Sequence, residues 1–250
     1  MRVIIPCMIA SAALLFASIS SIQAQSQREI IIANEGGFPP FNMTAADGTL
    51  KGFDIDLGNA MCEEMKAKCS YVTNEWSGII PALLAKKFDV IIGGMGITEE
   101  RKKRVIFSDP YARTYSHFGV IEGNEIEISP ESLKDKTIGV QQGTTNAAYI
   151  EANFPGLTIR RYPSMDALVS DLKTGRIDIV LGDIQPFLSK ADEKPKMINI
   201  GKPVAVSEGI GMAFRPEDTA LRDEFNAALK KMRDNGTWEK LAKKWGPPIE

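Results

Sequence analysis

Histidine is almost missing from this 250-residue sequence, which holds one, His117, alongside three cysteines. A structural zinc site takes four nitrogen or sulfur ligands and a catalytic one about three, so imidazole and thiolate metal chemistry lacks its parts. Basic excess is missing too. The 30 Lys and Arg face 32 Asp and Glu, a net charge of −2, which argues against the phosphate-tracking surface of a nucleic-acid binder. After the first residues, no stretch stays apolar for the ~20 positions that a membrane span requires.

What is present is the balance of a globular protein, 44% apolar and 25% charged with 21 Gly and 14 Pro, at a length that fits one large domain or two small ones. Arg2, the uncharged run Val3 to Ala17 and the small residue closing Ile22-Gln23-Ala24 read as a secretory signal, residues 1–24, removed after Ala24. The mature product is expected to be soluble and mildly acidic. It retains Cys62 and Cys69, near neighbours in an oxidising compartment, which read as a bridge worth roughly 2.5 kcal/mol in the chain-entropy picture. Metal binding is the alternative for this pair, and it lacks further ligands.

Glu29 to Asn34, with the β-branched run Ile30-Ile31-Ile32, reads as a buried strand stopped by Gly36-Gly37 and Pro39-Pro40. Asp54 to Lys66 reads as an amphipathic helix, Ser70 to Thr73 as a strand, Ser77 to Lys86 as a helix and Phe88 to Ile92 as a strand. This β-α-β-α-β order is the unit of a parallel sheet. It returns later, in strands at Thr137 to Gln141, Leu157 to Tyr162 and Ile177 to Leu181 with helices at Thr145 to Phe154 and Ser164 to Lys173. Phe88-Asp89-Val90-Ile91-Ile92-Gly93 can be laid on Ile177-Asp178-Ile179-Val180-Leu181-Gly182. The implied product is two α/β lobes, with Thr114 to Ile121 and Val204 to Phe214 as extended crossings that form a hinge.

In open α/β sheets ligands sit beyond the carboxyl ends of the strands. Those ends carry Glu35 with Phe38 nearby, Trp76, Gly93-Gly94-Met95-Gly96 leading to Arg101, Gln141 with Thr144 and Thr145 opening a helix, and Asp183. Singly, each has a plainer reading: a solvated charge, a helix cap or a core aromatic. Together they suit one ligand class. A helix N-terminus and Arg101 favour a carboxylate, Asp183 can hold an ammonium, and Glu35 with Phe38 and Trp76 asks for a second, flat cation. Arginine or a close relative fits.

Beyond these residues, Pro-Pro-Phe from Pro39, Gly-Phe-Asp-Ile-Asp-Leu from Gly52, Ile-Pro-Ala-Leu from Ile80, Ile-Thr-Glu-Glu-Arg from Ile97, Phe-Ser-Asp-Pro-Tyr from Phe107, Gly-Thr-Thr from Gly143, Gly-Arg-Ile-Asp from Gly175 and Asp-Asn-Gly-Thr-Trp from Asp234 run in order along the chain. From Arg28 to Trp245 it resembles the periplasmic polar-amino-acid binding proteins of ABC importers, of the lysine/arginine/ornithine/histidine type and closest to arginine-selective members. The resemblance implies a two-lobed periplasmic-binding-protein fold (type II) of the α/β class. Each lobe would be a parallel-type sheet with helices on both faces, joined by a two-strand hinge, with lobe 1 at 28–115 plus 207–250 and lobe 2 at 118–203. It implies a disulfide at Cys62 and Cys69, a periplasmic location, an inner-membrane permease as partner, and neither cofactor nor catalysis.

For the site, the resemblance implies that Arg101, Thr145 and the Gly96 amide take the α-carboxylate. Asp183 and the Gly94 carbonyl would take the α-ammonium, while Phe38, Trp76 and Glu35 meet the side chain. Gly93, Met95, Gln141 and Thr144 complete the expected set. Hydroxyl residues common in the family near 93, 94 and 96 are glycine here, which implies space for water or a bulkier ligand. Nopaline or octopine on the same scaffold, and a secreted dehydratase-type enzyme, are the competing expectations.

Overall fold

The computed structural model describes residues 28–188 and 194–246, so the expected signal segment lies outside the described residues. β1 (Glu29–Asn34) is followed by an antiparallel meander of β2 (Gly37–Phe38), β3 (Asn42–Thr44) and β4 (Leu50–Lys51). α1 (Phe53–Glu64), β5 (Lys68–Thr73), α2 (Trp76–Leu84) and β6 (Val90–Ile91) complete the first unit, and α3 (Glu99–Lys102) and β7 (Ile106–Phe107) follow. The chain crosses in β8 (Ser116–Ile121). α4 (Pro130–Leu133), β9 (Thr137–Gln141), α5 (Thr145–Asn153), β10 (Thr158–Tyr162), α6 (Met165–Lys173) and β11 (Ile179–Gly182) form the second unit. β12 (Met197–Val204) leads back to β13 (Ala213–Phe214), α7 (Thr219–Asp234) and α8 (Thr237–Trp245).

Two five-stranded sheets result, ordered β5-β1-β6-β13-β7 and β10-β9-β11-β8-β12. In each, three parallel strands come from a β-α-β-α-β unit, one strand (β13 or β8) runs against them, and the strand beyond it (β7 or β12) pairs antiparallel with that one and so runs with the first three. The antiparallel members were not expected from the repeat alone. They are β8 and β13, the strands in which the chain enters each sheet from a crossing. Val204 to Phe214 is strand only at its ends, and between them Ile210 makes single bridges to Gly96 and Ala112.

The repeat has a structural counterpart. Asp89 accepts the Ile31 N–H at 3.0 Å on its carboxylate while its own N–H donates to the Ile31 carbonyl at 2.9 Å. Asp178 does the same to Thr137, at 2.8 and 3.0 Å. This side-chain bracket stands where a ladder bond would otherwise be, which is why the expected strand from Phe88 narrows to Val90–Ile91.

Each sheet buries apolar side chains on both faces. Ile30, Ile32, Phe53, Leu57, Met61 and Phe225 pack on one side of the first sheet, and Ala33, Ile79, Leu83 and Ile91 on the other. The second sheet divides likewise, with Val140, Ile150 and Leu181 opposite Leu168, Leu172 and Val180. That continuous apolar content is what a sheet covered on both faces demands. Cys62 on α1 and Cys69 on β5 are bridged, with a Cα–Cα distance of 6.1 Å. The bond ties a helix to an edge strand, far from the strand ends where the lobes meet.

Candidate binding site

The carboxyl ends of β1, β6, β9 and β11 converge on one cavity between the sheets. Glu35, Phe38, Trp76, Gly93, Gly94, Gly96, Arg101, Gln141, Thr144, Thr145 and Asp183 all line it. About 70 Å³ is open to the centre of a water-sized sphere, room for several waters.

Arg101 rides on α3, whose N-cap Thr98 accepts the Arg101 N–H at 3.3 Å. Its guanidinium donates to the Gly96 carbonyl at 2.8 Å and, across the cleft, to the Gly143 carbonyl at 3.1 Å. Trp76 Nε1 donates to the same Gly143 carbonyl at 3.2 Å, and Arg101 lies 5.5 Å from the centre of the Trp76 ring. These contacts hold the two lobes together along one edge of the cavity. Burial pulls the Arg101 pKa down to about 10, because its partners are carbonyl dipoles. A half-buried cation held this way can take an anion. Beside it stands the N-terminus of α5, where Thr145 is the first helical residue and Thr144 the cap. The Thr144 hydroxyl donates to the Gln141 carbonyl at 2.8 Å and accepts the Ala147 N–H at 3.3 Å, so it serves the helix first.

The acids have the opposite problem. Glu35 is pushed up to about 7 by burial, opposed by a hydrogen bond from Gln141 Nε2 at 2.5 Å. Asp183 is pushed up to about 6, again by burial, opposed by a hydrogen bond from Thr114. Neither shift owes anything to a cation. Desolvation without a counter-charge raises a carboxylate, and an arriving ammonium or guanidinium would reverse it.

Glycine at 93, 94 and 96 does not leave the expected open space. A Cβ on Gly94 would lie 2.5 Å from Phe38 Cε1, and Gly94 takes φ +68°, so the Phe38 ring is seated directly on this backbone and stacked on Phe41 at 5.1 Å. At Gly96 the gap is taken by Ser207, and at Gly93 by Asn34. Small residues here admit neighbouring protein groups.

Met95 does not line the cavity. It is fully buried in the core with Ile79, Leu83, Val105 and Ala213. Gly94 at φ +68° turns the chain here, so that Met95 enters the core while Gly94 and Gly96 remain at the cavity.

Seven lining residues escaped the strand-end rule: Thr114, Ser116, Asn146, Met165, Val206, Ser207 and Ile210. Most lie on the crossings, which the sequence marked as hinge but not as wall.

A buried network supports the cavity from behind. Asp54, fully buried at the start of α1, accepts from Asn42 Nδ2 at 2.9 Å and from the Tyr111 hydroxyl at 2.8 Å. Tyr111 in turn accepts the Gly94 N–H at 3.1 Å, and Asn42 Oδ1 accepts the Gly36 N–H at 2.9 Å. One carboxylate thereby fixes the loops that carry Gly94 and Glu35. Burial lifts it to about 6 even against these hydrogen bonds.

The family profile of bacterial extracellular solute-binding proteins, family 3, matches residues 30–248. An arginine-binding periplasmic protein of Mannheimia haemolytica is 38% identical over 237 residues, covering 93% of this chain and 95% of that protein. The L-arginine-binding protein of Pseudomonas aeruginosa is 36% identical, with 88% of each chain covered. The solved structure of an ancestral arginine-binding protein bound to arginine superposes with a TM-score of 0.82 at 34% identity, covering 88% of this chain and 98% of that one.

Proposed function

The chain belongs to the bacterial extracellular solute-binding proteins of family 3, and from that premise we propose that it captures a basic L-amino acid, arginine before the others, in the periplasm and delivers it to an ABC permease. One observation carries the reading. Among the described residues, the cavity sets a half-buried cation without a carboxylate at one side, Arg101, and two half-buried acids without a cation, Glu35 and Asp183. A molecule with one carboxylate, one α-ammonium and a distal guanidinium cancels all three. The names of the relatives, which refer to arginine, lysine, ornithine and histidine, support the same class.

In this reading Arg101, the α5 N-terminus at Thr145 and the Gly96 amide hold the α-carboxylate, and Asp183 with the Gly94 carbonyl holds the α-ammonium. Glu35 meets the guanidinium, oriented by Gln141, with Phe38 and Trp76 as walls. The lobes are residues 28–115 with 207–250, and 118–203. A ligand touching both stabilises the closed arrangement, since its full set of contacts exists only there, and closure is what a permease can recognise. The protein is a receptor and not an enzyme. A dehydratase would need a general acid set against a leaving group, whereas both cavity acids have a ligand charge to meet.

Calorimetry of the mature protein against arginine, lysine, histidine, glutamine, glutamate and octopine tests the proposal. Arginine is expected to bind most tightly and glutamate least. A preference for glutamate or glutamine refutes the basic-ligand reading, octopine ahead of arginine moves it to opines, and turnover of the bound compound makes it an enzyme.

A further inference from the structure

Arg101 is not the only donor placed for an anion on its side of the cavity. A Cβ built on Gly96 would lie 2.9 Å from Ser207 Cβ, 3.1 Å from Ser207 Oγ and 3.5 Å from Arg101 Nη1. The Ser207 hydroxyl and the Arg101 guanidinium therefore flank a single point, the place where a side chain on residue 96 would begin, and both line the cavity. Ser207 is held there by its own surroundings. The Glu208 N–H donates to the Ile97 carbonyl at 3.0 Å, the Ile97 N–H donates to the Gly209 carbonyl at 2.8 Å, and Glu208 pairs with Lys102 of α3 at 2.7 Å. The helix that carries Arg101 thus also clamps the segment that carries Ser207.

A carboxylate offers about four lone-pair positions, and a guanidinium fork takes two of them. In a cavity from which water is displaced, the others need donors, and an unmet one is costly. We infer that Ser207 donates its hydroxyl to the ligand's α-carboxylate beside Arg101, making it a further binding residue supplied by the returning crossing rather than by a strand end. The inference rests on the amino-acid-binding reading above. Because Ser207 sits where the chain re-enters the first lobe, its bond also links ligand occupancy to the hinge.

A hydroxyl swap tests it. Arginine affinity is measured by calorimetry for the wild type, Ser207→Ala, Gly96→Ser and the double variant Gly96→Ser/Ser207→Gly, with ligand-free melting temperature as the check on folding. Gly96 has no positive φ, so serine there is barred only by the Ser207 side chain. Ser207→Ala is expected to weaken binding about fivefold, and Gly96→Ser to weaken it further by collision with Ser207. The double variant, which returns a hydroxyl to the same point from the opposite backbone, should recover to within about threefold of wild type. An unchanged affinity in Ser207→Ala overturns the inference while the receptor reading stands. Loss in Ser207→Ala without recovery in the double variant also overturns it, reducing Ser207 to a packing role. A wild type that binds no α-amino acid defeats the receptor reading and the inference with it.

Discussion

In the first sheet β6 runs out into Gly93-Gly94, and in the second β11 runs out into Gly182-Asp183. Laying Asp89 on Asp178 puts Gly94 opposite Asp183. Up to that point the lobes match: the same three parallel strands in the same spatial order, and the same aspartate bracket on the central strand. Past it they part. The second lobe presents a half-buried carboxylate, while the first presents bare backbone on which Phe38 is seated. A second acid at Gly94 would set two desolvated carboxylates on one ammonium, where like charges raise each other's pKa and one is neutralised. The frame brings strand ends together, and the difference between the ends decides what is bound.

The strongest test of that division removes the cation. Arg101→Ala should weaken every α-amino acid by about 2 to 5 kcal/mol, roughly 30-fold to several thousand-fold, because carboxylates are common to all of them. Calorimetry against arginine and glutamine reads the loss, and the ligand-free melting temperature should hardly fall. An unchanged affinity for both would place the carboxylate elsewhere.

Glu35 should act more selectively. At pH 8 Glu35→Gln is expected to cost arginine about 1.5 to 3 kcal/mol, the scale of a charged hydrogen bond, and to leave glutamine nearly untouched. The pH dependence is sharper. Burial pushes Glu35 up to about 7 in this arrangement, and a docked guanidinium favours its charged form, so binding below pH 7 expels a proton. Arginine affinity is therefore full above about pH 7 and falls toward tenfold per pH unit beneath it. The Glu35 share is about 100-fold at pH 5. Asp183, near 6, adds about tenfold at the same pH, and only this share should survive in Glu35→Gln. Calorimetry from pH 5 to 8 separates the two, and a flat wild-type profile would mean that neither acid meets a cation.

The strand-end rule found Glu35, Thr145 and Asp183 because each follows a legible apolar strand or opens a helix, and Arg101 because it rides on the short helix after the glycine-rich loop that leaves β6. It missed Ser207 because Val204 to Phe214 reads as plain extended chain, and only the bridges at Ile210 and the clamp to α3 turn one side of it into cavity wall. Asp54 was hidden for another reason. By periodicity it belongs to the polar side of α1, yet Gly52 at φ +136° lets the chain pass so close to Phe41 that a Cβ would lie 2.2 Å from its carbonyl. That approach turns the first acid of the helix inward, onto Asn42 and Tyr111. Local pattern carries which face a helix buries, but not which of its polar residues a neighbouring loop will claim.

The smallest expected effect on binding belongs to the frame. Asp178→Ala removes the acceptor of the exposed Thr137 N–H, and should cost about 1 kcal/mol of stability, or about 2 to 4 °C in melting temperature. Asp89→Ala should cost about 2 to 3 kcal/mol, because Asp89 also pairs at 3.2 Å with the buried Arg215. Arg215 would keep Asp218 and the carbonyls of Leu83 and Phe88, so the loss is partial. Both variants should retain wild-type arginine affinity, since neither aspartate lines the cavity. Thermal melts with and without arginine decide the matter: equal losses in the two variants would show that Arg215 does not depend on Asp89. A tenfold fall in affinity in either variant would show that the strand ends are not carried independently of the brackets beneath them.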